Sequence, residues 1–122
     1  MNARDPKLTA LQFNEYINNQ DIESLSNLMT KDHLFIDRAG DRNGDMVNGW
    51  KEFFANWPTY KNIFTQVESH DNLVIIIGYA IWSKGSLEED HVIWIARIED
   101  DLVKLWQIYE DTEENRKNLD IL

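Results

Sequence analysis

The 122-residue sequence contains no cysteine, which excludes a disulfide framework and thiolate metal ligation and agrees with a reducing compartment. It is also poor in positive charge. Twelve Lys and Arg stand against 22 Asp and Glu, a formal net charge of -10, and no basic stripe interrupts the acidity. Such a surface repels phosphate backbones, so neither nucleic acid nor an anionic membrane is expected as a partner. The longest apolar run, Leu73 to Trp82, is half of the roughly 20 residues that a spanning helix needs, and the opening Met1 to Lys7 lacks the apolar centre of a signal peptide. Repeats, low-complexity tracts, phosphate loops, nucleophile elbows and zinc spacings are all missing. A soluble, cytoplasmic, single domain over residues 1–122, with no cofactor and no metal, is the expectation.

Present instead is a hydrophobic content of 43%, enough for a real core, and a periodicity that changes halfway. Leu8, Leu11, Phe13, Tyr16 and Ile17 repeat at helical spacing until Asn18-Asn19-Gln20-Asp21 breaks the pattern. Asp21 is an N-cap candidate for a second helix carrying Ile22, Leu25, Leu28 and Met29. The run His33 to Asp37 has strand composition, with His33, Phe35 and Asp37 on one face. Arg38 to Asp45 reads as a surface loop. Met46, Val47, Trp50, Phe53, Phe54 and Trp57 then mark an amphipathic third helix that Pro58 ends.

From Tyr60 onward strand chemistry takes over. Ile63–Ser69, Leu73–Ser83, Glu88–Ile98 and Leu102–Glu110 are separated by breaks too short for anything but a meander. Gly78 interrupts the second of these and suggests a kink or bulge. The acidic groups Glu88-Glu89-Asp90 and Glu99-Asp100-Asp101 are read as solvated turns. The polar tail ends in Leu119, Ile121 and Leu122, a cluster expected to dock on the body or on a neighbouring subunit.

Helices followed by meandering strands are an α+β order, with helices on one face of an antiparallel sheet. Three stretches carry a resemblance: Asn18 to Met29 leading into Asp32-His-Leu-Phe-Ile-Asp37, Gly49 to Pro58, and Leu105-Trp-Gln-Ile-Tyr-Glu-Asp111. In these the chain resembles the nuclear transport factor 2-like superfamily, near its SnoaL-like polyketide cyclase branch. That resemblance implies a conical half-barrel, a curved antiparallel sheet packed on three helices, with a pocket between them. It also implies a homodimer formed through the outer sheet face.

The resemblance places candidate chemistry as well. Ketosteroid isomerases of this superfamily move a proton with an Asp that falls on Asp37. Their oxyanion-hole Tyr falls on Phe13 and their protonated Asp near Trp94, so that oxyanion hole is absent; the indole of Trp94 or the hydroxyl of Tyr16 is the remaining donor. Phe35, Trp50, Phe54, Trp57, Trp106 and Ile108 are expected as apolar walls, and Phe13, Tyr16, Trp94 and Glu110 complete the pocket. Scytalone dehydratase-like and lindane dehydrochlorinase-like relatives pair a His with this Asp. Here His33 lies about 13 Å along the strand from Asp37, which leaves only His70 or His91 to reach it in space. Asp41 to Glu52 partly matches a calcium loop but has Met46 where glycine is needed. Two function classes follow. One is a cofactor-independent isomerase, cyclase or dehydratase using Asp37 as general base on a small, apolar carbonyl compound. The other is a non-catalytic binding or assembly module of the same fold.

Overall fold

A computed structural model describes residues 4–121 of the chain; Met1 to Ala3, and Leu122 of the expected docking cluster, lie outside them. In chain order the elements are α1 (Pro6–Asn18), α2 (Ile22–Asn27), β1 (Met29–Ile36), β2 (Arg42–Asn43), α3 (Met46–Asn56), β3 (Lys61–His70), β4 (Leu73–Ile81), β5 (Asp90–Glu99), β6 (Leu102–Glu110) and α4 (Glu113–Asn118). Asp5 caps α1 by accepting from Lys7 N, with Pro6 in the first turn, where its missing N–H costs nothing. The apolar stripe Ala10, Phe13 and Ile17 then turns inward and is fully buried.

The strands form one curved, unclosed sheet in the order β2-β1-β6-β5-β4-β3, and with the helices it makes an α+β cone. β3 to β6 are the antiparallel meander. The all-antiparallel expectation needs correction at one place, because β1 pairs with β6 in parallel, Leu34 opposite Leu105 and Phe35 opposite Trp106. Side-chain alternation reports which face a residue takes, not which way its neighbour runs. The same pairing shortens α2. Leu28 and Met29 fit a helical stripe, yet Leu28 O accepts from Val103 N and Met29 sits opposite Val103, so the parallel ladder captures them. β2 lies in the expected loop and pairs with β1, Phe35 opposite Asn43.

A fourth helix, α4, adds to the three expected. Thr112 caps it by accepting from Asn115 N, and Arg116 fastens it with two hydrogen bonds to Asp111, at 2.6 and 2.8 Å. The residues that follow it bring Leu119 and Ile121 against Ile77, Ile93 and Ile95 on the outer face of the sheet. Of the two alternatives for this cluster, Leu119 and Ile121 thus dock on their own chain. The inner face carries the main core, in which Trp94 and Trp106 are fully buried with Phe13, Ile17 and Leu25.

Gly78 fixes the meander's curvature. Its partner strand carries the register shift, between Phe64 and Gln66, directly opposite it. A Cβ at position 78 would stand 2.0 Å from the backbone oxygen of Ile63, so only glycine admits this approach.

Candidate functional site

Between the inner sheet face, α3 and the β1–α3 connection lies a cavity of about 390 Å³. Its floor is Val92, Trp94, Trp106 and Ile108, and one side is Phe35 with Met46, Trp50 and Phe53 of α3. Tyr60, Asn62 and Trp82 form the opposite side, while Asp37, Arg38, Asp41, Arg42 and Asn43 line the mouth. Strand alternation explains the floor: residues 92, 94, 106 and 108 all project from the inner face. The helical spacing of 46, 50 and 53 brings that face of α3 over them.

Of the candidates read from sequence, Asp37, Phe35, Trp50, Trp94, Trp106 and Ile108 therefore meet at one cavity. The others stand elsewhere. Phe13 lies beneath the floor, fully buried, its ring centre 4.8 Å from that of Trp106. Phe54 stacks behind Trp50 at 5.4 Å. Trp57 is 41% exposed and packs edge-on against Trp82. The Tyr16 hydroxyl accepts from Gln12 Nε2 at 2.7 Å on α1, and Glu110 is exposed at the end of β6. Periodicity assigns a residue to a face but does not tell its depth behind that face.

Asp37 stands at the mouth, and much of its hydrogen bonding is spent on the chain itself. Its Oδ1 accepts from Ala39 N at 2.9 Å and from Asp41 N at 3.0 Å, the Asx-type turn that reverses β1 into β2. No histidine joins it at the cavity. His70 and His91 are exposed beside Glu68 and Glu89. His33 is buried, with Nδ1 2.7 Å from the carbonyl of Val103; that contact makes Nδ1 the donor, and Nε2 has no partner among the described residues. Burial pushes its pKa below the ordinary histidine value, against the smaller opposing effects of Val103 and Asp32. Among the described residues no group of three or more His, Asp or Glu side chains is placed to hold a metal.

The polar centre of the site is one that the sequence hides. Arg38 donates from both terminal nitrogens to Asp90, at 3.1 and 2.6 Å, and Trp82 Nε1 donates to the same carboxylate at 2.9 Å. Burial pushes the Asp90 pKa up, but these partners together outweigh it and hold the carboxyl below its usual range. The same pairing raises Arg38. Tyr60, 6% exposed, is pushed up by burial and by Asp90, so its hydroxyl keeps its proton. Trp82 packs edge-on against both Tyr60 and Phe53, at 4.9 and 5.6 Å. Asp90 reads in the sequence as part of a solvated acidic turn, and only its partner 52 positions away makes it otherwise. The fall of Arg38 directly after Asp37, and the aromatic Tyr60 and Trp82 at the strand ends, are the only local signals.

The walls offer little polar contact. Nε1 of Trp50, Trp94 and Trp106 and Oδ1 of Asn62 are buried and have no partner among the described residues, so the indole of Trp94 is not presented as the donor expected of it. What the arrangement can do is enclose an apolar body and meet its polar atoms at Tyr60 and the mouth.

No family model matches the sequence, and no curated protein is significantly similar to it. Solved structures do match. An NTF2-like protein of unknown function from Cytophaga hutchinsonii superposes with a TM-score of 0.72 at 15% identity, covering 98% of both chains. A protein of Shewanella putrefaciens named for its likeness to SnoaL polyketide cyclases gives 0.74 at 12% identity, over 97% of this chain and 87% of the other. An LEH-like epoxide hydrolase of Mycobacterium tuberculosis gives 0.74 at 13% identity, over 87% and 82%. The fold is thus nuclear transport factor 2-like.

Proposed function

We propose that this chain, with its nuclear transport factor 2-like fold, is a small-molecule pocket protein that takes a small, largely apolar carbonyl compound between the curved sheet and α3. The observation that carries this reading is the cavity itself. About 390 Å³ walled by Phe35, Trp50, Phe53, Trp94 and Trp106 is within the size range of small-molecule sites and has their mainly apolar composition. Proteins of this fold named as polyketide cyclases and as an epoxide hydrolase make a ligand of that type a reasonable occupant. The test is native mass spectrometry of the purified protein, followed by titration with two-ring aromatic compounds. A protein that carries no ligand and binds none of them ends the proposal.

Catalysis would rest on Asp37 as general base, with no cofactor. A second reading, binding without reaction, is favoured by the two backbone N–H groups already held by Asp37 Oδ1, because a carboxylate fixed in a turn is well suited to orientation. The absence of the ketosteroid isomerase donors at Phe13 and Trp94 points the same way: each such donor typically contributes about 2.7 to 4 kcal/mol to the transition state. Efficient isomerisation of an unsaturated ketosteroid would overturn the binding reading, and loss of that turnover in Asp37→Asn would establish the base.

Association through the outer sheet face belongs to the same proposal. Leu119 and Ile121 cover the Ile77, Ile93 and Ile95 patch, which confines any partner copy to the remaining face, around Gln66, Glu68, Tyr79 and Arg97. Sedimentation is expected to show a dimer at micromolar concentration; a monomer removes this part. The acidic, cysteine-free composition suits a reducing cytoplasm and a partner other than nucleic acid or membrane.

A further inference from the structure

We infer that Tyr60 and Arg38 form an oxygen-recognising subsite at one end of the cavity, with Asp90 as its positioning residue, and that the oxygen it takes is that of a neutral carbonyl group. The inference rests on the pocket reading above and specifies which atoms meet the ligand's polar end.

Donors inside the cavity are few. The three wall indoles whose N–H groups are buried do not present them to a ligand, and the fourth indole, Trp82, spends its N–H on Asp90. Tyr60 is different. It lines the cavity, is buried, and its hydroxyl makes no hydrogen bond among the described residues. The hydroxyl is not among the enclosed polar atoms, so a phenol that keeps its proton is open to the cavity as a donor for a ligand's acceptor.

Its position is over-determined. The Tyr60 ring is gripped edge-on by Phe53 at 4.8 Å and by Trp82 at 4.9 Å, and Trp82 is itself anchored through Nε1 to Asp90. The other arm of Asp90 fixes Arg38. Two of the guanidinium's five N–H donors are used in that pairing, which orients the plane of the group and leaves the rest for a ligand. A single carboxylate thus organises both donors, the indole-backed phenol and the guanidinium, although they come from separate parts of the chain.

Charge decides which oxygen is taken. Arg38 is neutralised by Asp90; Asp37 and Asp41 line the same mouth with Arg42, and Glu110 is close enough to act on Arg38. Four carboxylates against two guanidiniums disfavour a carboxylate ligand, whereas a ketone or aldehyde oxygen gains hydrogen bonds without bringing a charge.

Three probes of one apolar body separate the possibilities: naphthalene, 2-acetonaphthone and 2-naphthoate, each titrated into the full chain while the indole N–H signals of the tryptophans are followed by NMR. The ketone is expected to bind about fivefold more tightly than naphthalene, the worth of one net neutral hydrogen bond, and naphthoate no more tightly than naphthalene. In the double variant Tyr60→Phe/Arg38→Gln the ketone-to-naphthalene ratio falls to about one, and in Tyr60→Phe or Asp90→Asn alone it falls part of the way. General loosening of the cavity would weaken both probes and leave the ratio standing. A ratio of one in the native chain, or one that is undiminished in Tyr60→Phe, overturns the subsite while the pocket remains. Naphthoate binding tightest overturns the neutral-oxygen assignment. If no probe moves an indole signal, the pocket reading itself fails.

Discussion

The two faces of strands β4 to β6 are built from alternate residues of the same segments, and they meet opposite fates. Inward go Ile76, Trp94 and Trp106; outward go Ile77, Ile93 and Ile95. The outer patch is aliphatic and is closed by Leu119 and Ile121 after α4. The inner face is aromatic and roofed by aromatic residues of α3, and a hollow of about 390 Å³ remains there. Branched aliphatic side chains on a pleated surface make a smooth layer that two apolar residues can cover. Large planar rings held edge to face, such as Phe35 against Trp50 and Trp50 against Phe53, cannot all be brought into close contact from opposite walls. One face therefore supplies stability, while the other supplies stability and leaves a cavity.

The strongest way to break this comparison is Trp106→Ala. It removes a fully buried ring from the floor and is expected to cost about 3 to 5 kcal/mol, read from urea unfolding, and to weaken an apolar probe more than Asp37→Asn does. Gly78→Ala comes next, at about 3 kcal/mol, because the added carbon would overlap the backbone of β3; unchanged stability there would show that the curvature does not need glycine. Leu119→Ala strips part of the outer cover and is expected to cost about 2 kcal/mol while leaving probe binding in the inner cavity unaltered. If Leu119→Ala weakened the probe as much as Trp106→Ala, the two faces would not be independent.

The smallest effect sharpens the comparison through pH. His33 packs 5.9 Å from Phe13 under the cavity floor and is held neutral by burial. Its folded pKa lies below the unfolded value of about 6.5, so below that pH the unfolded chain binds the extra proton. Its neutral burial therefore carries no penalty above about pH 6.5, and stability falls as pH drops beneath it, by at most about 1.4 kcal/mol per pH unit. Urea midpoints from pH 8 to pH 5 should show this loss, and His33→Phe should flatten it.

How far the site was legible follows from the physics of each signal. The alternation of Val92, Trp94, Trp106 and Ile108 and the helical spacing of Met46, Trp50 and Phe53 announce the walls, since both periods are local. Phe13 and Phe54 carry the same pattern but lie one layer deeper, and the helical period has no term for depth. The pairing of Arg38 and Trp82 with Asp90 was not legible, although the places of Arg38 and Trp82 in the chain gave a local signal. Asp90 sits in an acidic turn whose local chemistry is that of solvent-exposed residues, and its partner is 52 positions away.

By itself the sequence determined the α+β order, the meander and the alternation of strand faces, and it marked Gly78 as a kink or bulge, because these depend on local periodicity and on backbone sterics; the close approach of Ile63 that excludes a Cβ at position 78 came from the pairing of β3 with β4. Only the tertiary structure decided that β1 runs parallel to β6, that the tail closes the outer face, and that Asp90 gathers Arg38 and Trp82 at the cavity. Those outcomes depend on which distant segments reach each other, and neither hydrophobic periodicity nor composition encodes a partner's identity across the chain.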